Sequence, residues 1–564
     1  MGRLSVLLHI KLNTMKKHLL LLLLTLLIGP LSAQPREIKN VIVMIPDGAS
    51  TNLLSISRWY QYYLNNDKTR LAIDPYLCGV VKTHSSDAPI GDSAPTTSCY
   101  MTGQPTQTGF VSMYPLQTPN DLVTIDPDQA YQPMASLLEA AKLIKGKSTG
   151  LVFTCEFPHA TPADCAAHWY RRSHYDVIGK QMLYNNIDVL IGGGNKFFTP
   201  QHKSYLLEQE YQVVQDDIAA LRACREGKLW ALFEKESLPY EIDRDTAITP
   251  SLAEMTRKAI TLLSQNENGF FLMVEGSKID WAAHDNDGKT MITEFLAFDE
   301  AVKEALSFAN RDGKTVVVIL PDHGTGGISL GNRNANWGYD RLTLDTLMKP
   351  LTEYTASINK MVPLVKKAAP ESLDSLFQQY YNITLTEFDR TLIHQSRDYD
   401  LSPLHSEERE KNYPLVYNIS TILYDRTYIG FTTYGHTGED VFLAVYHPYA
   451  DIPTGMHTNI EINSYLCRQL GIAGHLPELT QKLFTPHHIL FQEIGGVTIT
   501  IDSVARNQYI LTAKRGKDTM VIESNTNYIL FNKEKIELNS LMIYVDINKT
   551  FYLPERVKHF WGKR

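Results

Sequence analysis

Short, wholly apolar runs rich in β-branched residues recur along this chain, separated by longer stretches of helical spacing. Residues 41–45 (V-I-V-M-I), 148–153, 187–191, 270–274, 315–320 and 441–446 each read as a strand buried on both faces. Residues 134–144, 251–264 and 290–308 carry the periodicity of helices. The alternation predicts an α/β fold with a mostly parallel central sheet flanked by helices. Two regions break it. Residues 327–430 are mixed and rich in Tyr, Asn and Leu, with a helical stretch near 358–369; they read as an inserted subdomain. From Ile489 onward period-two patterns take over, as in V-T-I-T-I (497–501) and M-I-Y-V (542–545). They predict a small antiparallel C-terminal β module of about five strands. The expected organisation is a leader (1–33), a main α/β domain (34–488) that carries the insertion, and the module (489–564).

The leader reads as a signal peptide. Lys16 and Lys17 precede an apolar run, 19–28, and Leu31-Ser32-Ala33 offers a small residue before a cut. Met15 looks like the true start, since it puts the lysines where an export signal needs them. The run is too short to span a membrane, no Cys follows it for a lipid anchor, and no later segment reads as transmembrane. Export to a periplasm or the outside is expected. The 564 residues hold 54 Lys and Arg against 62 Asp and Glu, a net charge of −8, with no basic stripe for nucleic acid. Export permits disulfides among the six cysteines, with Cys155 and Cys165 the nearest pair, but buried free thiols fit equally well.

Chemistry concentrates where strands end. Asp47 follows the first apolar run, Glu275 follows F-F-L-M-V, and Asp322 and His323 follow T-V-V-V-I-L-P. His159 and Thr161 lie a few residues beyond the strand ending near Phe153. Open α/β sheets hold ligands beyond the carboxyl ends of their strands. Asp280 and His284 stand four apart, on one face if helical. Alone, that pair is more often a hydrogen-bonded surface pair. With Asp92, Ser93, Arg172 and His436 added, the set suits two or three divalent ions, imidazole-rich pockets favouring zinc and oxygen-only pockets magnesium. Ser93, between Gly91-Asp92 and Ala94, can open a helix whose N-terminus faces an anion, and a metal can ionise its hydroxyl. The competing reading makes Asp92-Ser93 a helix N-cap.

These motifs, in this order, resemble the alkaline phosphatases, secreted metal-dependent phosphomonoesterases. The resemblance covers roughly 41–198, 270–325 and 434–446. It implies Ser93 in D-S-A as nucleophile and Arg172 as the phosphate-gripping arginine, Arg171 being the alternative register. It implies one zinc on Asp322, His323 and Asp47, and another on Asp280, His284 and His436. Magnesium would sit on Asp47, Thr161 and Glu275, with His159 acting through water, Asp92 orienting Arg172, and Trp281 with His159 tuning the magnesium pocket. Gly192-Gly193-Gly194 reads as a structural turn. The implied activity is hydrolysis of small phosphate monoesters through a phosphoserine, with an alkaline optimum. The family also suggests a homodimer, which the insertion could block. Two alternatives stand beside it: a phosphodiesterase or another hydrolase of the superfamily, and a non-catalytic phosphate- or metal-binding exported protein.

Overall fold

The computed structural model describes residues 37–65, 70–397 and 414–561. The signal peptide read in 1–33, and Met15 with it, lie outside them. The central sheet has ten strands, in the spatial order Gly455–Thr458, Leu77–Lys82, Val441–Tyr446, Thr315–Ile319, Asn40–Ile45, Phe270–Glu275, Ser148–Glu156, Val189–Gly193, Leu229–Phe233, Gln212–Gln215. Every neighbouring pair is parallel except the two made by Val441–Tyr446. Asn40–Ile45, Phe270–Glu275 and Thr315–Ile319, at the centre, are buried at every position. Helices cover such strands on both faces, which is why their sequences are apolar throughout rather than alternating.

Register decides where the strands deliver their chemistry. Ile45 lies opposite Glu275, Phe153 opposite Glu275, and Met44 opposite Ile319. Asp47, Glu275 and Asp322 therefore leave the sheet together at one edge. Val441–Tyr446 runs the other way, with Ala444 opposite Ile319. Its beginning, not its end, lies at that edge, so a residue that precedes it, His436, arrives beside residues that follow the other strands.

The helices fall where periodicity puts them, within a few residues. Leu137–Lys145 starts with a capping box of Ser136 and Glu139, and Leu252–Leu263 with Ser251 accepting from the Glu254 N–H. The third, Gly288–Asp312, runs longer at both ends than the periodic stretch. Four strands of the central sheet went unread: Leu77–Lys82, Gln212–Gln215, Leu229–Phe233 and Gly455–Thr458.

The 327–430 region is chiefly helical rather than mixed. Leu344–Glu353, Ile358–Lys367, Leu373–Tyr381, Glu387–Arg397 and Pro414–Tyr424 enclose a separate core that includes Met361, Phe377, Tyr381, Ile393 and Ile419. The C-terminal sheet has seven strands instead of about five, in the order Thr485–Pro486, Thr550–Leu553, Glu534–Val545, Thr526–Phe531, Asp518–Glu523, Gln508–Arg515, Thr498–Ala505, all antiparallel. The count was low because Asp518–Glu523 buries only Met520 and Ile522, and Thr485–Pro486 precedes the expected boundary. This sheet braces the segment around Arg172: Tyr170 Oη donates to Asp546 at 2.6 Å, and Lys180 reaches Glu523 at 2.6 Å. Among the described residues, no helix is long and apolar enough to cross a membrane.

Candidate active site

Ser93 opens the helix Ser93–Thr102, all of whose residues are buried. That helix follows from its sequence: small and apolar residues on every side suit a core helix, and Gly103 ends it in a left-handed turn at φ 81°. Its first turn begins at the carboxyl edge of the sheet, where Ser93 meets His323. Asp92 occupies the N-cap position with extended backbone, but its side chain makes no capping bond. It accepts instead from Arg172 Nη1 at 2.5 Å, which sets the simple N-cap reading aside. Burial works against a charge on Asp92, yet Arg172, with His436 and His323, holds the carboxyl down to about 2. Arg172 also donates through Nη2 to His159 Nε2 at 3.2 Å. Arg171, the alternative register, is exposed and lies over the Tyr170 ring.

Ser93 Oγ lies 3.3 Å from His323 Nε2, and His323 joins two clusters. In one, Asp47 Oδ1 is 3.6 Å and Asp322 Oδ2 3.4 Å from His323 Nε2. In the other, Asp280, His323 and His436 bring their ligand atoms within 4.8 Å of one another. His284 adds to this second group, 3.4 Å from Asp280 Oδ2 and 3.2 Å from His436 Nε2. A third cluster holds Cys155, His159 and Glu275.

The imidazoles are turned for cations. His284 Nδ1 faces the Tyr434 carbonyl (2.5 Å), His436 Nδ1 the Gly91 carbonyl (2.8 Å) and His323 Nδ1 the Gly324 carbonyl (3.3 Å). A carbonyl only accepts, so each Nδ1 carries a proton and each ring turns its Nε2 inward. The Nε2 atoms of His284 and His436 stand 3.2 Å apart, a spacing that two ligands of one cation would adopt. Burial and the neighbouring His323 push His436 down to about 4.

The carboxylates show the same need. Both oxygens of Asp47, Oδ2 of Asp322, Oε1 of Glu275, Oγ1 of Thr161 and Nδ1 of His159 are buried without a hydrogen-bond partner. Burial, then the negative charges of Asp322, Asp280 and Glu275, raises Asp47 well above the ordinary carboxylate range. Burial raises Glu275 to about 8 and Asp322 to about 7. Asp280 goes the other way: burial opposes its charge, but His284, His436 and His323 hold it low. Unpaired buried acceptors are costly, and divalent cations would satisfy them at once. The donors fit zinc at the imidazole-bearing clusters, and a harder ion where Asp47, Thr161 and Glu275 offer oxygen.

Gly48 lets the walls close. At φ 70° it is left-handed, its N–H donates to Asp322 Oδ1 at 3.1 Å, and a Cβ on it would strike Asp280. Trp281 stands edge-on to the His159 ring, 5.8 Å between centroids. The glycine run is not one turn: Gly192 and Gly193 finish a strand, where a Cβ on Gly192 would meet Phe153 at 2.0 Å, and only Gly194 turns. All six thiols are free, so Cys155 and Cys165 are not bonded.

Sequence reasoning missed several contributors. Thr325 Oγ1 donates to Asp280 Oδ1 at 2.7 Å, and Glu439 accepts from Ser50 at 2.6 Å and Thr437 at 2.8 Å. Glu439 was visible in G-H-T-G-E-D. Cys155 and the orienting carbonyls carry no signal in the sequence.

A family model described as "Alkaline phosphatase" matches residues 38–472. Alkaline phosphatase 3 of Bacillus subtilis (strain 168) is 33% identical, over 76% of this chain and 87% of its own length. Among solved structures, a cold-active alkaline phosphatase from the psychrophile Shewanella sp. superposes with a TM-score of 0.65 at 28% identity, covering 76% of this chain and 99% of that one. The alkaline phosphatase of Thermus thermophilus shares the fold, with a TM-score of 0.67 at 24% identity over 79% of this chain and 94% of that one.

Proposed function

This chain belongs to the alkaline phosphatase family and is a phosphomonoester hydrolase, and from that premise we propose that it works in two displacements through a phosphoserine at Ser93. One juxtaposition carries the reading. A serine hydroxyl at a helix N-terminus stands 3.3 Å from His323, the histidine common to two cation-seeking clusters, while Asp92 anchors Arg172 near by. Asp47, Asp322 and His323 would hold one zinc; Asp280, His284 and His436 would hold the other; Asp47, Thr161 and Glu275 would hold magnesium. When bound, such ions lower the pKa of hydroxyl and water and neutralise phosphate charge.

The chain's own residues do the rest. The helix delivers Ser93 Oγ toward phosphorus with its N–H groups aimed at the anion. Arg172 presents its fork to two non-bridging oxygens, and Asp92 keeps that fork aimed. Oγ attacks phosphorus, the P–O bond to the alcohol breaks, and the alcohol oxygen takes up a proton. Water then cleaves the phosphoserine, returning Ser93 and inorganic phosphate. The leader read in 1–33 supports export, to a periplasm or the outside, and a homodimer is the proposed assembly, to be checked by light scattering.

The test is hydrolysis of 4-nitrophenyl phosphate and of a matched diester by wild type and Ser93→Ala, with and without chelator. Monoester turnover at least about a thousandfold lower in Ser93→Ala is expected. Turnover surviving that substitution, or a diester preferred over the monoester, would overturn the proposal.

A further inference from the structure

The third cluster differs from its neighbours in one donor. Cys155, His159 and Glu275, all buried, bring their ligand atoms within 4.8 Å of one another, and neither of the other two clusters contains sulfur. Cys155 Sγ lies 3.5 Å from Glu275 Oε2. The backbone fixes it there. The N–H groups of Thr154 and Cys155 donate to Ser277 Oγ at 3.2 and 3.1 Å, and the Ser277 N–H returns a bond to Thr154 Oγ1 at 3.1 Å. The end of the Ser148–Glu156 strand is thereby clamped to the turn after Glu275. Glu275 Oε1, His159 Nδ1 and Thr161 Oγ1 are buried there without a partner.

Two donor sets therefore share Glu275. Asp47, Thr161 and Glu275 offer only oxygen, which suits magnesium. Cys155, His159 and Glu275 offer sulfur, nitrogen and oxygen, which suits zinc or cobalt. We propose that this pocket is a two-way metal site, in which Cys155 recruits a thiophilic divalent ion in competition with magnesium. The inference rests on reading the pocket as a metal site, as above. Ligation replaces the S–H bond by a sulfur–metal bond and releases the proton to solvent. His159 links the choice to substrate binding. Its Nε2 accepts from Arg172 at 3.2 Å. A metal on Nε2 displaces that donor, and a metal on Nδ1 leaves the ring proton on Nε2, facing the guanidinium. Either way zinc loading frees one side of Arg172.

The test uses the whole protein, stripped by chelator and reloaded with cobalt(II), or with zinc against rising magnesium. Wild type, Cys155→Ser and Cys155→Ala are compared. Wild-type cobalt protein should show a near-ultraviolet sulfur-to-cobalt charge-transfer band that both variants lack. The other thiols lie in no donor cluster among the described residues. Metal analysis should find a third zinc equivalent in wild type, and magnesium should displace it from the variants at a concentration about tenfold lower or less. No band in wild type, with zinc–magnesium competition unmoved by either substitution, overturns the proposal. Wild-type protein that cannot retain two zinc equivalents would instead sink the underlying reading of the site. The wild-type band needs no variant, so poor folding of a substituted protein does not blunt the test.

Discussion

Replacing Gly48 by alanine tests the site geometry with one methyl group. The new Cβ would lie 2.7 Å from Asp280 Oδ1 and 2.8 Å from Asp280 Cα. Carbon atoms rest about 3.5 Å apart, so roughly 0.7 Å of movement is required. Asp280 Cα belongs to the helix Lys278–His284, and the Gly48 N–H is tied to Asp322, so no flexible side chain can absorb it. The left-handed backbone adds about 1–2 kcal/mol, and overpacking about 1–3 kcal/mol. Asp280 and Asp47 are pushed apart, and misplacement on the scale of 1 Å costs about 100-fold in rate. The expected result is kcat/KM for a phosphate monoester lowered about 100-fold, with zinc lost on dialysis. Gly313→Ala is the control: at φ 65° with open space around its Cβ, it carries only the backbone cost and should keep full activity and zinc. Wild-type kcat/KM and zinc content in Gly48→Ala would refute the claim that Asp47 and Asp280 wall one site.

Arg172→Lys exchanges a planar fork for a point charge and should weaken phosphate inhibition and kcat/KM by about 10–100-fold; an unchanged inhibition constant would refute the phosphate grip. Removing metal should lower Tm, and the metal-free protein should show a particular pH dependence. Glu275 and Asp322 are raised, to about 8 and about 7, so the folded state binds protons the unfolded chain has shed. Stability of chelated protein should fall as pH rises from the ordinary carboxylate range through 7–8; calorimetry showing a flat or rising Tm there would count against it. Tyr170→Phe removes the bond to Asp546 and should cost about 1–2 kcal/mol in denaturant titrations, whereas no loss would mean the C-terminal sheet is not braced at that point.

The central strands could be read from sequence because burial on both faces leaves an unbroken apolar run, as in V-I-V-M-I. Leu77–Lys82 could not, because its ends, Leu77 and Lys82, are exposed and Gly79 interrupts the apolar run. Leu229–Phe233 is fully buried, but L-W-A-L-F fits a short helix as well as a strand. The acids and histidines of the site were legible because they sit where apolar runs stop. What orients them was not. The carbonyls of Gly91, Tyr434 and Gly324 and the hydroxyl of Thr325 act through tertiary contact, which leaves no local pattern. Cys155 was read as a disulfide candidate or a buried free thiol, since nothing near it in sequence announces Glu275.

The sheet order also has a consequence for biosynthesis. Leu77–Lys82 is made early, yet both its partners, Val441–Tyr446 and Gly455–Thr458, come from the far end of the catalytic core. A growing chain must carry that strand with two open edges until the inserted helices have emerged, a state prone to adventitious pairing. His436 emerges just before the first of those partners, so the ligand set proposed above is complete only after the inserted helices have been made. A ribosome stalled inside the inserted helices would hold a polypeptide both unable to finish its catalytic centre and exposed to aggregation.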